Sequence, residues 1–127
     1  MKFRKSIFPT FILVFMSVVM TECSNDTTST AKSFNRVLLF QWNTNASLAG
    51  RSEMIKLFKG LPEKIEGLNS FEISDIENSS DSFESILVLK FVSEDVVKNY
   101  ESHEDHLRIA ALGPELVSKF AVVDYWE

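Results

Sequence analysis

The sequence predicts an α+β domain: one four-stranded antiparallel sheet with its helices on one face. Three observations carry that prediction. Segments 36–42, 69–76, 86–91 and 120–126 are short and apolar enough to be strands. The stretches beginning at Leu48 and at Ser93 read as helices. The order is therefore β-α-β-β-α-β, the split βαβ or ferredoxin-like arrangement, which usually gives such a layered sheet.

The chain opens with a segment of different composition. Lys2, Arg4 and Lys5 precede an apolar run from Ile7 to Met20, shorter than the roughly 20 residues a membrane-spanning helix needs. A basic start, a short apolar run and then polar residues describe a secretory signal peptide over residues 1–22. The only cysteine of the chain, Cys23, follows directly. This resembles a bacterial lipoprotein leader, in which that cysteine is acylated after cleavage, although Glu22 stands where such leaders carry a small residue. Residues 23–34 are expected to form a lipidated, disordered tether, since Ser24 to Ser33 has no apolar side chain larger than alanine. The expected location is outside the cytoplasm, at a bacterial cell envelope, on a membrane. The folded domain is expected over 35–127.

Within that domain, Val37-Leu38-Leu39-Phe40 between polar ends gives a first buried strand. Leu48, Ile55, Phe58, Leu61 and Ile65 recur at helical spacing, with Pro62 expected to kink the helix or begin a second segment. Gly67 suits a left-handed stop. Phe71 and Ile73 alternate with polar residues as in a half-buried strand, and 77–82 is a polar hairpin loop. After the strand 86–91, Ser93-Glu94-Asp95 is a helix start with a capping hydroxyl and acids in its first turn. Ser102 and Asp105 have capping-box spacing and predict a further helix start, which Gly113-Pro114 should interrupt. Phe120 to Trp126 closes the sheet.

Composition narrows function mainly by exclusion. The 127 residues carry a net charge of −5. Without residues 1–22, 10 basic and 17 acidic residues remain, a charge of −7. No basic stripe exists to displace counterions from phosphates, so no nucleic-acid partner is expected. One cysteine excludes an internal disulfide framework and a thiolate-rich zinc site. Glu101, His103, Glu104, Asp105 and His106 are clustered, but their order suits a solvated acidic helix end, and neither a metal nor a cofactor is expected. Nucleotide, zinc-protease and serine-hydrolase motifs are absent from the sequence.

Residues 37–40, 86–89 and 120–123 are apolar at consecutive positions, so both faces of the sheet carry apolar side chains. Helices cover only one face, and the other would expose a patch larger than monomers usually tolerate. A homodimer packed through the sheet face is the expected solution.

Arg36-Val-Leu-Leu-Phe-Gln-Trp, Ile65-Glu-Gly-Leu-Asn-Ser-Phe-Glu, Leu89-Lys-Phe-Val-Ser-Glu-Asp, Tyr100-Glu-Ser-His-Glu-Asp-His106 and Phe120-Ala-Val-Val-Asp-Tyr together resemble the stress-responsive α/β-barrel domain family, Dabb. The Tyr-x-x-His-x-x-His element is the most specific of these. Glu104 and Glu66 stand where the family often has proline. The resemblance implies a dimeric α/β barrel, in which two ferredoxin-like sheets pack together. It also implies membership among small proteins, some of them associated with stress responses. A plant cyclase of the family closes a polyketide ring with a Tyr and a His that correspond to Tyr100 and His106. Two further pocket positions, both His in that enzyme, align near Arg36 and Ser85.

An imidazole near neutral pKa can take a proton while a phenol polarises a carbonyl, so Tyr100 and His106 are the candidate catalytic residues if the domain is enzymatic. In the structural alternative His106 packs against the sheet and hydrogen-bonds Tyr100 or backbone. Arg36, Ser85 and His103 are the candidate ligand-pocket residues, and Cys23 the lipidation site. The expected function is a dimeric, membrane-tethered, stress-associated or small-ligand-binding module, its candidate ligand small and apolar. The alternative is a cofactor-independent acid/base enzyme, cyclase- or lyase-like, acting on a small carbonyl or polyketide-like compound.

Overall fold

The computed structural model describes residues 31–127. The predicted leader and Cys23 lie outside them. The described residues form β1 (Phe34–Trp42), α1 (Leu48–Lys64), β2 (Leu68–Asp75), β3 (Ser85–Phe91), α2 (Glu94–Ser102), α3 (Glu104–Leu116) and β4 (Val117–Trp126). The four strands make one antiparallel sheet in the order β2-β3-β1-β4. This is the ferredoxin-like βαββαβ fold, with its second helical segment in two pieces. Among the described residues, no helix is long and apolar enough to cross a membrane.

Strand β3 shows why the sheet has two unlike faces. Ser85, Leu87, Leu89 and Phe91 are buried, while the alternate Ile86, Val88 and Lys90 are only half-buried, as a two-residue side-chain period requires. In register, Phe91, Leu89, Leu87 and Ser85 lie beside Phe34, Arg36, Leu38 and Phe40 of β1. That face packs on Met54, Phe58 and Leu61 of α1, Val97 and Tyr100 of α2, and Ile109 and Leu116 of α3. The other face carries Val37 between Val88 and Val123, and Leu39 between Ile86 and Ala121.

Several predicted boundaries moved, each for a local reason. β1 begins at Phe34, within the segment expected as tether. The Phe34 ring is buried and packs at 6.5 Å from Phe91 and 5.1 Å from Trp126. Ser33 and Glu127 extend the ladder by exchanging both backbone hydrogen bonds. Pro62 neither ends nor divides α1, because it sits in the last turn, where the only donor it withholds is the one to Phe58. The helix closes when the Ile65 amide donates to Leu61. Gly67 takes a positive φ of 90° in the turn to β2. There a Cβ would come within 2.7 Å of Val96 and 2.9 Å of Val92. Ser47 caps α1 by accepting the Gly50 amide. Ser93 occupies the cap position of α2, but its hydroxyl makes no capping bond.

The expected capping box at Ser102 and Asp105 is replaced by another device. The Ser102 hydroxyl donates back to the carbonyls of Lys98 and Asn99 and so ends α2. His103 then caps α3, its Nδ1 accepting the Asp105 amide at 3.1 Å. The Asp105 carboxylate, 3% exposed, accepts from Lys64 at the end of α1 and lies 3.6 Å from Arg108. The Lys64 ammonium holds that carboxyl below the usual aspartate range. α3 continues through Gly113-Pro114 to Leu116. As with Pro62, proline falls in a final turn and withholds only one intrahelical bond.

Candidate functional site

The break at His103 creates the site. Tyr100 lies in the last turn of α2 on the buried side and His106 in the first turn of α3, and the bend between the helices brings their rings to 4.3 Å between centroids. Both line a cavity of about 340 Å³ between the helices and strands β1 and β4. Leu38, Phe40, Phe58, Ile109, Val117 and Phe120 supply much of the remaining wall. Every other described lining residue is apolar, glycine or proline, so among the described residues Tyr100 and His106 hold its only polar side-chain atoms. Phe120 is 70% exposed and stands at the edge of the sheet, where no described helix covers it.

Tyr100 is 1% exposed and packs edge-on against Phe91, with centroids 5.5 Å apart. Burial pushes its hydroxyl pKa well above the ordinary phenol value, partly opposed by the Arg36 charge. Tyr100 is thus a neutral phenol across the physiological range. It can donate a hydrogen bond but cannot serve as an anionic base.

His106 Nδ1 lies 3.0 Å from the Glu101 carbonyl oxygen. A carbonyl only accepts, so Nδ1 bears the proton, and the neutral ring keeps its lone pair on Nε2. His103 has the opposite assignment, because its Nδ1 accepts an amide proton and its Nε2 must carry the hydrogen. The two histidines of the chain therefore differ in tautomer. Only His106 lines the cavity.

The other predicted pocket residues lie close by but do not line it. Arg36 is beneath Tyr100, its guanidinium carbon 5.9 Å from the ring centroid. Its Nε and Nη2 each donate to Asp124 at 2.9 Å, and its Nη1 donates to Glu101 at 2.8 Å. These two carboxylates, Asp124 foremost, raise an already high guanidinium pKa further. Ser85 is 2% exposed at the start of β3, opposite Phe40. His103 is occupied as a helix cap.

Glu101 and Asp124 were missed as members of this network. Arg36 at the polar start of one apolar run and Asp124 within another were the signal available. Their pairing across the β1–β4 ladder places opposite charges side by side.

The profile of the Stress responsive A/B Barrel Domain matches residues 34–127. No curated protein matches the chain. Among solved structures, the Arabidopsis thaliana protein At3g17210 is 27% identical and superposes with a TM-score of 0.63, covering 72% of this chain and 92% of that one. A Bacteroides fragilis protein described as dimeric, ferredoxin-like and of unknown function is 24% identical, with a TM-score of 0.57 over 73% of this chain and 94% of its own. A hydroxynitrile lyase from Passiflora edulis shares the fold at 13% identity, with a TM-score of 0.69 over 76% of this chain and 94% of that one. The family profile spans the whole described sheet and its helices, and the chain belongs to the stress-responsive A/B barrel (Dabb) domain family.

Proposed function

We propose that the domain binds a small, uncharged, largely hydrocarbon molecule carrying one hydroxyl or carbonyl group. One observation carries this reading. A neutral phenol donor and an imidazole acceptor of defined tautomer are, among the described residues, the only polar side chains in an otherwise apolar wall. A cavity of about 340 Å³ is at the small end of the ligand-site range. Among the described residues no cation lines it, and Arg36, 5.9 Å from the Tyr100 ring, is already shared by two carboxylates. A bound anion would lose its hydration without a partner, which costs several kcal/mol.

Naphthol, naphthalene and naphthoate test this directly by fluorescence titration. Wild type is expected to bind naphthol about tenfold more tightly than naphthalene, the equivalent of one good hydrogen bond. His106→Ala is expected to remove that preference. Equal affinity for naphthol and naphthalene in wild type, or tighter binding of naphthoate, would overturn the reading.

The unpartnered Nε2 beside a phenol donor favours one second reading. Tyr100 would hydrogen-bond a carbonyl oxygen while His106 takes a proton from the adjacent carbon or hydroxyl. Deuterium exchange into the α-carbon of a bound aryl ketone, lost in His106→Ala, would move the assignment from binding to catalysis.

The same proposal includes a homodimer formed through the open sheet face. It is supported by that face's apolar rows and by relatives described as dimeric from Bacteroides fragilis, Thermobifida fusca and Jannaschia. It also includes membrane tethering through Cys23, supported by the leader's composition. Cys23→Ala is expected to shift the protein from the membrane to the soluble fraction, and unchanged membrane association would rule out the lipid anchor.

A further inference from the structure

Three carbonyls at the end of α2 have donors of their own. A helix leaves its last four carbonyls without intrahelical donors. Here Asn99 receives the Ser102 hydroxyl, which also donates to Lys98, Tyr100 receives the His103 amide, and Glu101 receives His106 Nδ1–H. The first two are satisfied at the helix end itself. The third is reached from α3, and that bond determines which nitrogen of His106 remains open.

Glu101 is also held from the sheet. Arg36 projects from β1, is only 15% exposed at its side chain, and is fixed by its two-bond contact with Asp124 of β4. Its remaining arm, Nη1, takes Glu101 Oε1. The last turn of a helix frays by default, and this arm ties the last turn of α2 to a strand. One residue thus links the sheet to the carbonyl that orients the imidazole. At 52% exposure of Glu101, such a pair contributes little to global stability, so its consequence is placement.

We infer that Arg36, acting through Glu101, is a positioning residue that holds His106 in the Nδ1–H tautomer and keeps Nε2 open to the cavity. The inference rests on the proposed binding role of His106, but its direct readout does not require a ligand.

Nitrogen-15 correlation spectra of the histidine rings provide that readout, taken well above the ordinary histidine pKa of about 6.5. Wild type is expected to show His106 as Nδ1–H and His103 as Nε2–H. Glu101→Ala and Arg36→Ala are expected to give His106 a mixture of tautomers, with the Nε2–H form raised about tenfold. Glu101→Gln keeps an acceptor oxygen for Arg36 and should retain the wild-type pattern. His103 serves as the internal control, since its capping bond involves neither Arg36 nor Glu101. If Arg36→Ala fails to fold, Glu101→Ala decides alone, because it leaves the Arg36–Asp124 pair intact.

A His106 tautomer unchanged in Glu101→Ala would overturn the inference, as would equal shifts in Glu101→Ala and Glu101→Gln. Naphthol titration separates this from the binding reading. Tautomer mixing together with naphthol binding weakened in proportion to the lost Nδ1–H fraction in Glu101→Ala supports both. Mixing in a protein whose wild type does not prefer naphthol to naphthalene supports the positioning role and removes the binding reading. An unmoved tautomer with normal naphthol preference removes only the positioning role.

Discussion

Tyr100→Ala is expected to destabilise the domain by about 3–5 kcal/mol, the range for truncating a buried aromatic to alanine. The ring is 1% exposed and touches the core through Phe91, so its removal leaves a void joined to the existing cavity. A small domain commonly has about 5–15 kcal/mol in total, and the variant should show a clearly lower urea midpoint. Tyr100→Phe separates this structural role from the polar one. Among the described residues the hydroxyl makes no hydrogen bond, so its removal strands no buried group and stability should stay within about 0.5 kcal/mol of wild type. The naphthol preference should nevertheless fall below that of wild type, since the donor is gone. A loss of more than about 2 kcal/mol in Tyr100→Phe would mean that the hydroxyl has a structural partner. Its assignment to the ligand would then fail.

The order of the strands and helices was legible because three strands carry an unbroken apolar run, β2 alternates apolar with polar residues, and α1 repeats its apolar residues at helical spacing. The ends of the elements were less legible, and for a consistent reason. Pro62 and Pro114 look like breaks in a linear reading, yet each withholds a donor only in a final turn that is already ending. The site was visible only in outline. Tyr100 and His106 stand out by residue type and spacing, but their contact depends on the bend at His103, and the His103 ring itself forms that corner. Which histidine faces the cavity is decided by two hydrogen bonds, to the Asp105 amide and to the Glu101 carbonyl. No local pattern distinguishes them. The Arg36–Asp124 bond joins residues 88 positions apart, so it depends on the β1–β4 register. Periodicity alone does not determine that register.

Val37→Asp is expected to convert a dimer into a folded monomer. Val37 is in the middle of β1 on the face turned away from the helices, between Val88 and Val123 in register. The next row, Ile86-Leu39-Ala121, continues the apolar surface. Val123 is 51% and Tyr125 43% exposed on the described chain, so the β4 side of the face is uncovered. In the isolated domain a carboxylate at 37 can remain hydrated, and the cost to folding should not exceed the roughly 1 kcal/mol span of strand propensities. In a face-to-face dimer the twofold axis buries the charge twice, without a cationic partner in its row. Several kcal/mol lost in this way weakens association by at least about a thousandfold. Sedimentation at micromolar concentration should therefore give a dimer for wild type and a monomer for Val37→Asp. The cavity is on the opposite face, so naphthol binding should survive the substitution unless the second copy helps to enclose the ligand. A monomeric wild type would remove the dimer from the proposal. A Val37→Asp variant that still dimerises would move the interface to another surface, with the exposed helix-side residues of β4, Phe120 and Trp126, as the next apolar candidates.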